Sequence, residues 1–187
     1  GFSCQGLRVE EFVDDRGFAI PIQLVGMAVL ETSSAGTEIS FVIANRDGPN
    51  PECRYSIPAS LGPDPRHAPI GPVCVAIDGE YASTAVAVAD FNSDGEQDFA
   101  FAAGLIDESG PEDMPNDRVC LASREGYDCS DLPGGEVDAS AIAAGDLDGD
   151  GNVDLVVGHE HHDGVDGEPL YVRACVGDGG GGFDCGP

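Results

Sequence analysis

The sequence predicts an all-β protein made of about three repeated units, each of four short antiparallel strands. Three observations carry this reading. Short apolar runs bounded by glycine or acidic residues, such as Thr84–Ala89, Phe99–Ala103 and Leu155–Gly158, have the length and composition of buried strands. The order strand, loop, strand, variable polar segment, strand, tight turn, strand recurs along the chain. No stretch carries a convincing helical period.

Residues 1–21 come before the first full unit. Gly1-Phe-Ser-Cys-Gln-Gly-Leu7 resembles Gly126-Tyr-Asp-Cys-Ser-Asp-Leu132 and Gly182-Phe-Asp-Cys-Gly-Pro187, so it reads as the last strand of a preceding unit. Such a strand either completes a partner's sheet by strand addition or marks a chain cut in mid-unit. The first residues do not form a signal peptide, which fits a mature chain or one cut from something longer.

Residues 22–83 form a degenerate first repeat, because Ala28-Val-Leu-Glu31 aligns with Ala87-Val-Ala-Asp90 and Gly36 aligns with Gly95 and Gly151. A Pro-rich insert, 46–72, follows its second strand and reads as a stiff, extended arm. The third strand is expected at Pro72–Ile77 and the fourth near Tyr81. Residues 84–132 form the second repeat, with third and fourth strands at Arg118–Ala122 and from Tyr127. Residues 133–187 form the third, with Leu170–Val176 and a strand from Phe183 after the turn Gly179–Gly182.

The most informative stretch is Asp146-Leu147-Asp148-Gly149-Asp150-Gly151-Asn152-Val153-Asp154, which places carboxylates at loop positions 1, 3, 5 and 9 and glycine at position 6. A hard cation such as Ca²⁺ takes about six to eight oxygens at about 2.3–2.6 Å, and alternating acids on a sharply turning backbone supply them. An EF-hand or dockerin-like loop would place an acid at position 12, which here is Val157. The flanking segments are strands, so the loop joins two strands. The unit occurs again, about 56 residues earlier, as Asp90-Phe-Asn-Ser-Asp-Gly-Glu-Gln-Asp98.

In these two loops the chain resembles the FG-GAP/VCBS repeat family of calcium-binding, integrin-type β-propeller blades, over roughly residues 22–187. The resemblance implies two Ca²⁺ sites. The first would use Asp90, Asn92, Asp94 and Asp98 with the carbonyl of Glu96, and the second Asp146, Asp148, Asp150 and Asp154 with the carbonyl of Asn152. In the first repeat the ligand positions hold Glu31, Ser33, Ala35 and Ile39, which predicts no calcium there. Four short strands per period also read as propeller-type blades. Three blades are too few to close a ring, so the fold class is an incomplete or open propeller, a fragment, or an assembly completed by strand exchange with a neighbouring copy.

Cys120 with Cys129 and Cys175 with Cys185 each place one cysteine on a third strand and one on the adjacent fourth. Facing positions on antiparallel neighbours lie about 4.5–5.5 Å apart, within reach of a disulfide. In the first repeat the pair would be Cys74 and Ser83, so Cys53 is the nearest replacement partner for Cys74. Cys4 is then the odd cysteine, left for an intermolecular bond or for a partner in upstream sequence.

The 35 acidic residues face 8 basic ones, all Arg, for a net charge of −27. Nucleic acid and anionic membrane are thereby excluded as partners, since both would be repelled. No apolar run reaches the roughly 18–20 residues of a membrane span. Seven cysteines without a Cys-x-x-Cys pair, together with calcium loops, point to an oxidising, extracellular or cell-surface setting. There is no Asn-x-Ser/Thr sequon, so any glycan would be O-linked.

His159-Glu-His-His-Asp163 offers Zn²⁺-type donors, of which His159 and His161 would share one face of an extended segment. It lacks the second histidine of the His-Glu-x-x-His motif, and a polar loop is the simpler reading. No Gly-x-Ser-x-Gly elbow or phosphate loop is present. The expected function is therefore non-enzymatic, structural or adhesive, with copies of the chain itself as partners in a head-to-tail assembly or fibre. The alternative is a module of a larger secreted protein that binds an extracellular glycan or protein.

Overall fold

The computed structural model describes residues 24–32, 38–45, 49–56, 73–80, 83–104, 116–134, 139–159 and 171–186. The expected N-terminal strand with Cys4, the degenerate loop at 33–37, most of the Pro-rich insert and His161 lie outside them. The described residues are all-β, and none of them belongs to a helix long and apolar enough to cross a membrane.

The first sheet contains β1 (Leu24–Thr32), β2 (Glu38–Asn45), β3 (Pro49–Ser56) and β4 (Val73–Glu80). The second contains β5 (Ser83–Ala89), β6 (Asp98–Ala103), β7 (Arg118–Ser123) and β8 (Gly126–Asp131). The third contains β9 (Ala139–Gly145), β10 (Asp154–His159), β11 (Tyr171–Gly177) and β12 (Phe183–Cys185). Each sheet is an antiparallel meander with its strands in chain order.

The sheets stack face to face with the second between the other two. Phe99, Phe101 and Cys120 pack with Val42 and Ile77 on one side, and Ala87, Ala100 and Val119 pack with Leu155 and Cys175 on the other. Every residue of β6 is buried, which explains why this strand reads as an unbroken apolar run rather than an alternation. The first strands of neighbouring sheets crowd together. A Cβ on Gly26 would stand 3.3 Å from the Cα of Ala85, and the Thr84 hydroxyl donates to the Ala139 carbonyl of the next sheet.

The first sheet corrects the sequence reading. Its third strand is Pro49–Ser56, inside the Pro-rich insert, and Val73–Glu80 is its fourth. Strand signals were masked there by prolines, yet Pro49 opens the strand and Pro51 follows a shift in register, both places where a missing N–H is tolerated. The correction makes Cys53–Cys74 the counterpart of the other bridges rather than a substitute. Cys53 faces Cys74, Cys120 faces Cys129 and Cys175 faces Cys185, with Cα–Cα distances of 4.1, 4.0 and 3.9 Å.

Register also revises the first loop's alignment. Phe41 lies opposite Val29 as Phe99 lies opposite Val88, so Ser40 rather than Ile39 precedes it at the place of Asp98. The extra residue is absorbed where the β1–β2 pairing slips between Val29 and Glu31.

Candidate metal centre

Both acidic loops join the first two strands of a sheet and share one internal design. In the second, Asp146 accepts hydrogen bonds from Gly149 N (2.7 Å) and Gly151 N (3.2 Å), and Asp148 accepts from Asp150 N (3.0 Å). Asp150 accepts from the Asn152 backbone and side-chain amides, both at 2.8 Å. In the first, Asp90 accepts from Asp94 N (3.0 Å) and Gly95 N (2.9 Å), Asn92 accepts from Asp94 N (3.1 Å), and Asp94 accepts from Glu96 N (2.8 Å). Acids at alternate positions thus tie the loop back on itself while leaving lone pairs on each carboxylate.

The backbone turns through left-handed conformations at two loop positions. Gly95 and Gly151 at position 6 have φ of 90° and 92°, as the sequence led us to expect. Position 4 does the same, with Ser93 at 60° and Gly149 at 83°. Sequence reasoning missed this second requirement, because serine in the first loop hides it.

Position 9 has a further task. Asp98 accepts from Phe91 N (2.8 Å) in its own loop and from Ala122 N (2.7 Å) on β7. Asp154 accepts from Leu147 N (2.7 Å) and from Gly177 N (2.8 Å) on β11. Both carboxylates are fully buried, and each pins the start of its loop to the third strand. Their ionisation differs nonetheless. Burial pushes the Asp98 carboxyl up, aided by Asp94 and Asp90 and opposed by the two N–H groups. At Asp154 the Gly177 and Leu147 N–H groups outweigh burial and hold the carboxyl below its ordinary range.

Three carboxylates of the second loop come together. Oxygens of Asp146, Asp148 and Asp154 all lie within 4.8 Å of one another. Two oxygens that share one ion at about 2.4 Å can be at most about 4.8 Å apart, so this spacing suits a calcium-sized cation. Asp150 instead engages Asn152, and in the first loop Asn92 holds the place of Asp148, its amide bonded to Asp94 at 3.0 Å. The loop contains four acids and no base. His159, the other candidate ligand, is buried at the end of β10.

The sequence also gave no warning of two polar clips between sheets. Asp117 accepts from Ala103 N (2.8 Å) at the end of β6 and from the Arg173 guanidinium of β11 (2.7 Å), which also donates to the Pro133 carbonyl (2.8 Å). At the corresponding place in the first sheet Asn50 accepts from Asn45 N (2.9 Å) and donates to the Ser83 hydroxyl of β5 (2.8 Å). Both residues stand three places before the third-strand cysteine, the one signal that could have found them. Burial pushes the Asp117 carboxyl up to about 6 against the pull of the Ala103 N–H and Arg173.

A groove of about 540 Å³ runs between the first two sheets, lined by Glu52, Val75, Glu96, Ala122 and Tyr127, with the Tyr127 hydroxyl donating to Glu52 at 2.9 Å. No family model matches the chain, and no curated protein matches it.

Proposed function

We propose that this chain is a non-enzymatic, extracellular calcium-binding repeat protein with a structural or adhesive role, acting as a subunit of a head-to-tail assembly, its loops being of the FG-GAP/VCBS kind and its sheets propeller-type blades. The observation that carries the reading is the convergence of Asp146, Asp148 and Asp154. Ca²⁺ held there would offset the mutual repulsion of four loop acids in a protein of net charge −27. The first loop would hold a second ion through Asp90, Asn92, Asp94 and Asp98.

Because Asp154 is also bonded to β11, a cation on its remaining lone pairs would stiffen the loop and the hairpin together. Binding to the folded state alone stabilises it by about 2.7 kcal/mol when calcium is at a hundred times Kd. The three disulfides fit an oxidising, extracellular-type environment, in which calcium is abundant.

Calorimetric titration with Ca²⁺, paired with thermal melts with and without EGTA, tests the proposal. Saturable binding with a melting point that rises by several degrees is expected, and a flat titration with superimposable melts would overturn it. The groove beside Tyr127 favours a second reading, a module of a larger secreted protein that binds a glycan or protein. A ligand that protects Tyr127 from solvent in a monomeric protein would favour that reading.

A further inference from the structure

The two acidic loops belong to different sheets, yet a short line of contacts through the last hairpin of the third sheet joins them. Phe91, at position 2 of the first loop, is 1% exposed and meets Phe183 of β12 edge-on, with ring centroids 5.6 Å apart and planes at 75°. The Phe91 N–H is also the one that Asp98 accepts at 2.8 Å. Phe183 in turn lies against Gly177, where an added Cβ would stand 3.4 Å from the ring and would overlap the Val153 carbonyl of the second loop. The Gly177 N–H is the one that Asp154 accepts at 2.8 Å. The position 9 acids of the two loops are thus linked through Phe91, Phe183 and Gly177.

A second line of contacts runs beside the first. The β11–β12 turn is cinched by Asp178, whose carboxylate accepts from Gly180 N (2.8 Å) and Gly182 N (2.9 Å) while its own N–H donates to the Gly182 carbonyl (3.0 Å). One side of the turn lies on Asn152, position 7 of the second loop, because a Cβ on Gly179 would overlap the Asn152 side-chain amide. The other side lies on β7, where a Cβ on Gly181 would come within 2.5 Å of the Leu121 side chain. Ala122, the next residue of β7, donates the N–H that Asp98 accepts at 2.7 Å. Gly179 and Gly181 hold φ of 72° and 86°, so the turn touches both neighbours in a backbone shape that suits glycine. Packing this close passes a displacement on instead of absorbing it.

We infer that the β11–β12 hairpin couples the two loops, so that ordering one lowers the cost of ordering the other. A first loop that settles fixes the Phe91 ring and the Ala122 N–H, and with them the hairpin that faces the second loop. The second loop then settles against a surface already in place, with less conformational freedom left to lose. Such coupling is reciprocal. Its consequence for ligand binding rests on the calcium reading above: the two sites fill with positive cooperativity, each raising the other's affinity by about fivefold or more. Phe91 and Phe183 act as positioning residues, since their side chains offer a cation no oxygen.

Amide NMR of the 187-residue chain tests the coupling, with the Gly95 and Gly151 resonances reporting the two loops separately. In EGTA, Phe91→Leu should speed hydrogen exchange at Gly177 and Leu147, the two N–H groups on Asp154, by about fivefold or more beyond any change in global unfolding. Phe101→Leu, at a buried ring packed toward the first sheet, should not. During Ca²⁺ titration, Asp148→Asn should weaken binding at the first loop about fivefold or more, and Asp94→Asn should weaken binding at the second by the same factor. Both cross effects should vanish in a Phe183→Leu chain. Exchange at Gly177 and Leu147 that ignores Phe91→Leu, or cross effects that survive Phe183→Leu, would overturn the coupling. The calcium reading fails separately, because a flat titration with the exchange response intact refutes the calcium sites alone, and saturable binding at both loops without cross effects refutes the coupling alone.

Discussion

Asp117 of the second sheet and Arg173 of the third meet at 2.7 Å with side chains 0% and 5% exposed, a charged pair sealed between two sheets. Two charges taken out of water are strongly coupled to each other, and removing one partner is costly because the other stays buried. Arg173→Met should therefore destabilise the protein by about 2–4 kcal/mol at pH 7.5. Below pH 6 the loss should shrink, since the isolated Asp117 would then take up a proton. Chemical denaturation at the two pH values measures both effects.

The sign of the wild-type pH dependence follows from the same group. An acid whose folded pKa is raised to about 6 contributes stability that is fully present below its unfolded pKa and is lost as pH rises through 6. Asp117→Asn should remove that decline between pH 4 and pH 6, an effect of at most about 3 kcal/mol. The difference between variant and wild-type denaturation curves across this window isolates it from the opposite trend at Asp154 and Asp178, whose carboxyls are held low.

Within the second loop, Asp148→Asn and Asp154→Ala should separate binding from folding. Asp148 bonds a single loop N–H, so its variant should lose calcium affinity by tenfold or more with little change in calcium-free stability. Asp154 holds the buried Gly177 N–H and the half-buried Leu147 N–H, so Asp154→Ala should also cost about 2–4 kcal/mol without calcium. Calorimetry with Ca²⁺ and melts in EGTA give the two readouts.

Loop position 4 offers a paired test of backbone strain. Gly149→Ala forces an L side chain into a left-handed turn and should cost about 1–2 kcal/mol. Ser93→Gly at the corresponding place should be neutral or stabilise by up to about 1 kcal/mol, because Ser93 already occupies that conformation at φ 60°. Thermal melts of both single variants, run in EGTA, provide the check.

Reduction should weaken the first sheet most. Its bridge spans 21 residues against 9 and 10 in the others, and a longer closed loop restrains the unfolded chain more. Replacing Cys53 and Cys74 together by Ala should cost about 0.5–1 kcal/mol more than replacing Cys120 and Cys129. Equilibrium unfolding of the two double variants compares them directly.

Much of this architecture was legible in the sequence because apolar runs and turn glycines recur with the same spacing. Both cysteine hairpins could be read from their repetition, and Cys53 was paired correctly although its strand was not seen. What failed was β3, where Pro49 and Pro51 imitate a loop and only their position on the ladder makes them tolerable. The acid at position 9 was legible as a donor, but not its bond to the third strand, since no local pattern announces a partner 23 or 24 residues away. The Asp117–Arg173 clip is longer-range still, at a separation of 56 residues.

The cross-strand bridges also govern how the chain would respond to being pulled. Each one fastens the last strand of a sheet to the strand beside it, including β12, which is only three residues long. Under load that outer edge cannot peel, so yielding has to begin elsewhere in each sheet. The residues enclosed by the bridges, 21, 9 and 10 positions along the chain, are withheld from extension even after the sheets give way. At about 3.5 Å per residue, the oxidised chain should stretch to a contour roughly 140 Å shorter than the reduced one.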